Sequence, residues 1–111
     1  MKYVILILIF VPQYVWAMSE RDYQSAHCQG VQEYRLDDGS RVDCLTEEYA
    51  IEYDWANKWA EAIGQALYYA EKTGKKPMIV LILKNEKQKK HLPKAEVLCK
   101  KYGIKLDAIF L

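Results

Sequence analysis

The chain has 111 residues, is 51% hydrophobic and 28% charged, and carries a formal net charge of +1. That length and mix suit one packed domain and exclude an intrinsically disordered chain. The near-neutral total hides a split, because residues 18–60 hold ten acids and four bases whereas residues 61–111 hold five acids and eleven bases. One half is suited to a cation and the other to a polyanion, or the second half is a plain solvated lysine surface.

In chain order, Lys2 precedes an unbroken apolar run from Tyr3 to Val11. Pro12, Gln13 and Tyr14 break the run, and Val15-Trp16-Ala17 offers modest side chains to a signal peptidase. This order reads as a secretory signal peptide over residues 1–17, leaving a single domain at 18–111 in the periplasm or outside the cell. An uncleaved anchor is the alternative. The run is much shorter than the roughly 20 apolar residues that span a bilayer, so no stable membrane insertion is expected after cleavage.

Ser19 with Asp22 forms a capping-box pattern that starts a short helix towards Cys28 and Gly30. Val31–Leu36 reads as a strand, Asp37-Asp38-Gly39-Ser40 as a hairpin turn, and Arg41–Leu45 as the returning strand. Tyr49–Tyr53 is a third strand. Asp54 then sits where it would cap a long helix over Trp55–Thr73, with Ala56, Trp59, Ala60, Ile63, Ala66, Leu67 and Ala70 at helical spacing. Gly74 ends that helix, with Pro77 just beyond.

Met78–Leu83 is a continuous apolar run suited to a strand covered on both faces. Lys84–Lys90 reads as a charged loop, Leu92–Tyr102 as a helix stopped by Gly103, and Ile104–Leu111 as a last strand. The order helix, three strands, helix, strand, helix, strand implies an α/β chain, specifically a three-layer α+β plan around a mixed sheet. Of three cysteines, Cys28 and Cys44 are the expected disulfide pair if the chain matures in an oxidising compartment. No Cys-x-x-Cys occurs, and His27 and His91 lie far apart, which argues against zinc.

Asp43 is an acid between Val42 and Cys44. Glu52 and Asp54 are two positions apart on one strand, so their side chains leave the same sheet face. If the two strands are neighbours, Asp43 converges on Glu52. Carboxylates brought together in an apolar setting repel unless a cation joins them, and Mg²⁺ or Mn²⁺ takes oxygen ligands from one or two carboxylates plus water. The alternatives are that Asp54 is only a helix cap and that Asp43 and Glu52 are surface charges. Asp54, Lys58, Glu61, Gln65, Tyr68 or Tyr69, and Lys72 follow as a polar stripe along the long helix.

The ordered set Asp43, then Glu52-x-Asp54, then a helix carrying Gln65-x-x-x-Tyr69, resembles the PD-(D/E)XK nuclease superfamily, which has the restriction-endonuclease-like fold. The Gln-x-x-x-Tyr element is similar to the helix motif of its recombination-type exonuclease branch. The resemblance implies a metal-dependent phosphodiesterase acting on DNA or RNA, with Mg²⁺ or Mn²⁺ on Asp43 and Glu52. It also implies that Glu20 matches the family's first acid and that Gln65 and Tyr69 contact the substrate. The family places a lysine where Asp54 stands, and Lys58 is the candidate to take over that role. Without such a lysine, the resemblance implies a catalytically inactive module that binds nucleic acid or protein.

Overall fold

The structure, a computed structural model, describes residues 18–111; the expected signal peptide lies outside the described residues. The described part contains three helices and a five-stranded mixed sheet. Helix α1 (Glu20–His27) is followed by β1 (Val31–Arg35), β2 (Arg41–Leu45) and β3 (Tyr49–Trp55). Then come α2 (Trp59–Thr73), β4 (Lys76–Leu83), α3 (Leu92–Tyr102) and β5 (Lys105–Phe110), with 3₁₀ turns at Ala56–Lys58 and Glu86–His91. Among the described residues, no helix is long and apolar enough to cross a membrane.

Local chemistry explains most boundaries. Asp22 and Ser19 cap α1 reciprocally, the Asp22 N–H donating to Ser19 Oγ and the Ser19 N–H to Asp22 Oδ2, which satisfies two otherwise unpaired donors at the helix start. Gly74 closes α2 at φ 72°, a left-handed conformation that a side chain disfavours.

The sheet order is β1-β2-β3-β4-β5. β1–β2 and β2–β3 are antiparallel hairpin neighbours, while β3–β4 and β4–β5 are parallel and joined through α2 and α3. β4 is the buried centre: Ile79, Leu81, Ile82 and Leu83 are almost wholly covered, as its unbroken apolar run requires. Ile79, Leu81 and Leu83 meet Ala62, Ile63 and Ala66 of α2 and Ala95 and Cys99 of α3 on one face. On the opposite face Ile51, Tyr53, Met78 and Val80 pack with Cys28 at the end of α1.

Three expected features are corrected. β3 runs two residues further than Tyr53, because its parallel register with β4 continues through Asp54↔Leu81 and Trp55↔Ile82. Asp54 is therefore a strand residue and caps no helix; its Oδ1 accepts only the N–H of the next residue, Trp55. α2 starts at Trp59, after the 3₁₀ turn, rather than at Trp55. β4 starts at Lys76 rather than at Met78, so Pro77, just beyond α2 as expected, lies inside the strand opposite Ala50.

Cys28 and Cys44 are joined in a disulfide with Cα atoms 5.7 Å apart. This bond ties α1 to the middle strand of the meander. Arg21 pairs with Glu33 at 3.0 Å and Ser25 donates to Gln32 at 3.1 Å, so polar contacts also tie α1 to β1.

Candidate functional site

Parallel partners on adjacent strands share a face, so Ala50, Glu52 and Asp54 lie on the side covered by α2, with Ile79 and Leu81. Both carboxylates are buried, Glu52 at 5% exposure and Asp54 at 6%. Ionisable groups are rarely covered to this degree without partners.

The antiparallel register Cys44↔Ile51 sets Asp43 opposite Glu52 on the same face, just where regular β2–β3 pairing ends. The β2–β3 ladder holds only at Cys44↔Ile51 and Leu45↔Ala50. Beyond it, the Tyr53 N–H donates to the Asp43 side chain (Oδ2, 2.8 Å) where regular pairing would offer a main-chain carbonyl. The Asp43 carbonyl is instead taken by Gln24 Nε2 of α1 at 2.5 Å. Opposite Asp43 on β1, Glu33 adopts φ 51°, an uncommon conformation for a residue with a side chain. Val42, the neighbour of Asp43, packs with Ala50 and Tyr69 on the α2 side, which is how a bulge-like break in alternation re-aims a side chain.

The consequence is electrostatic. Burial pushes the Glu52 carboxyl far above the usual carboxylate range, and Asp43, Asp54 and Glu20 raise it further. Asp43, opposite Glu52 across the β2–β3 register, is the strongest of these neighbours. Glu52 Oε2 is buried with no protein donor reaching it. Asp54 is raised to about 7, first by burial and then by Glu20, while Lys58 acts in the opposite sense.

Four carboxyls thus act on one another electrostatically, Asp43 chiefly on Glu52 and Glu20 chiefly on Asp54. Among the described residues, no group of three or more His, Cys, Asp or Glu side chains is arranged to hold a metal ion.

The remaining expected residues divide. Lys58 lies in the 3₁₀ turn, and its ion-pair partner is Glu20 at 3.9 Å; it makes no ion pair with Asp43 or Glu52 among the described residues. Tyr69 is buried beside the acids, its phenol raised to about 12 by burial and by the charges of Glu52 and Asp43. Gln65, one turn earlier, is exposed. The polar stripe expected on α2 divides at the tyrosines. Tyr69 belongs to the core, whereas Tyr68 faces solvent, where its hydroxyl donates to Asp38 and Lys72 pairs with Asp37 at 3.2 Å.

Gln24 is the site residue that sequence reasoning did not single out. It is 3% exposed, and only its long-range bond to Asp43 explains that burial, so a local pattern had little to reveal. Comparisons with protein-family models, with curated proteins and with solved structures return no match to this chain.

Proposed function

We propose that this protein is a metal-dependent phosphodiesterase of the PD-(D/E)XK kind, acting on DNA or RNA outside the cytoplasm. The observation that carries the reading is the meeting of Asp43 and Glu52 at a buried spot, with Glu52 Oε2 left without a protein partner. A buried oxygen with no donor costs about 1–3 kcal/mol, more if charged. A hard divalent cation removes that cost, and its preference for one or two carboxylates plus water fits the pair.

Asp43 and Glu52 would hold Mg²⁺ or Mn²⁺, with Glu20 further out beside Asp54. The ion, when bound, supplies Lewis acidity to a phosphoryl oxygen and acidity to a water. The protein's own part is positioning. Tyr53 N–H and Gln24 fix Asp43 from two sides, and the pairing of β3 with β4 fixes Glu52. Lys58 contributes positive charge at the outer acids, where developing charge on a phosphate is stabilised. Tyr69 closes the inner wall, and Gln65 stands exposed one helical turn away to contact the substrate.

A second reading, a catalytically inactive nuclease-fold module binding nucleic acid or protein, draws support from one observation. A carboxylate, Asp54, stands where the superfamily has its lysine, and Lys58 pairs with Glu20 instead of leaning over Asp43 and Glu52.

Turnover of labelled DNA and RNA with added Mg²⁺ or Mn²⁺ separates the two. Wild type should cleave, and Asp43→Asn and Glu52→Gln should each lose at least about 100-fold, the range typical of losing a catalytic group. Isothermal titration with Mn²⁺ should give a binding signal that both variants abolish. Metal binding without turnover would favour the inactive module, and no binding at all would remove the site.

A further inference from the structure

The lysine-rich segment after β4 is not dispersed over the surface. The 3₁₀ turn Glu86–His91 packs directly against the turn Ala56–Lys58, which leads out of the acidic strand. Trp55, the residue after Asp54, pairs with Ile82 near the end of β4, and Lys84 Nζ lies 4.3 Å from the centre of its ring. The basic segment therefore begins at the rim of the carboxylate cluster.

Most of its charges have no acidic partner. Lys84, Lys87, Lys90 and Lys94 are exposed, and none takes part in an ion pair among the described residues. Lys89 is the exception, paired with Glu86 at 2.8 Å. Lys87 and Lys90 are three apart on a 3₁₀ turn, which stacks them on one face about 6 Å apart. Lys94 lies in the first turn of α3, which contains no acid, although helix starts favour negative side chains and disfavour cations. Local stability does not account for a cation at Lys94; a polyanion would.

We infer that Lys84, Lys87, Lys90 and Lys94 form a phosphate-tracking ridge that delivers a nucleic-acid strand to the carboxylate cluster. This rests on the proposed nuclease reading for the substrate class but not on turnover. The sugar–phosphate backbone is the partner whose repeating charge matches a row of spaced cations. Trp55, held edge-on by Tyr23 at 6.0 Å between ring centres and covered by Lys84, gives the ridge a fixed end next to Asp54.

The test measures binding of a fluorescent single-stranded oligonucleotide to the full-length chain carrying Glu52→Gln, in chelator, over a salt series. Replacing Lys87, Lys90 and Lys94 together by alanine should weaken binding at least tenfold. It should also reduce the log–log salt slope by about 2, since each lost single-strand phosphate contact contributes about 0.7. Lys100→Ala with Lys101→Ala, at the far end of α3, should leave both quantities unchanged. Equal losses in the two variants would mean diffuse attraction and overturn the ridge, as would an unchanged slope in the triple variant. Loss of affinity for phosphatidylglycerol vesicles with oligonucleotide binding intact would assign the lysines to a lipid surface and also overturn it. Failure of the nuclease reading looks different: oligonucleotide binding that depends on these lysines, with no metal-dependent cleavage by the wild-type chain.

Discussion

Glu52 is the residue with most at stake. Its carboxyl and that of Asp54 are both raised in the folded chain. Between the ordinary carboxylate range near pH 4 and those raised values, the folded chain binds more protons than the unfolded one, so stability falls as pH rises. In chelator, the melting temperature should drop between pH 5 and pH 8 by roughly 5 °C or more, given about 4–8 °C per kcal/mol in a domain of this size. Glu52→Gln keeps the shape and removes the charge, so it should flatten that decline and melt higher than wild type at pH 8. Differential scanning calorimetry at the two pH values decides it, and a variant with an undiminished decline would show that Glu52 is not the strained group. The meeting of Asp43 and Glu52 was legible because strand periodicity alone puts an acid on each of two adjacent strands. The true state of Asp54 was not, because a lone acid before a helical pattern looks like a cap, and only pairing with β4, distant in sequence, keeps it in the strand.

At the scale of elements, α3 occupies the span that its apolar spacing and Gly103 imply, and the Asp-Gly turn joins β1 to β2. What escaped the sequence is the break between β2 and β3. It depends on Glu33 in a left-handed conformation, on Gln24 reaching from α1, and on a side chain replacing a main-chain acceptor. None of these leaves a periodic trace. Gly30 shows how tightly α1 is led into this region: a Cβ there would meet the Leu45 carbonyl oxygen at 2.2 Å. Gly30→Ala must push β1 away from the end of β2 and should cost about 1–3 kcal/mol. Gly64→Ala, on the exposed side of α2 with nothing within 4 Å, should instead stabilise by roughly 0.5–1 kcal/mol. Urea melts of the two variants should therefore shift in opposite directions.

For the whole molecule, the uneven distribution of charge along the sequence becomes an arrangement in space. The buried acids Glu52 and Asp54 sit in β3, and the lysine-rich turn lies against the segment that leaves it. The disulfide joins the end of α1 to β2 over sixteen positions, a closure worth about 3 kcal/mol in the chain-entropy model. Reduction, or Cys28→Ala with Cys44→Ala, should lower stability by about that amount in chemical denaturation. If α1 is held by this bond, it should also raise hydrogen exchange at Tyr53, whose N–H is shielded by Asp43. Exchange at Tyr53 that ignores the reductant would show that polar contacts alone keep α1 in place.

Helix α1 brings both Glu20 and Gln24 to the acids, and its far end is covalently fastened to β2. Thiol-rich cell interiors keep such cysteines apart, and about 3 kcal/mol is a factor above 100 in the ratio of assembled to unassembled chains. The pairing of α1 with the sheet is therefore coupled to the redox state of its surroundings: an oxidising medium completes it, and a strong reductant loosens the helix that carries Glu20 and Gln24.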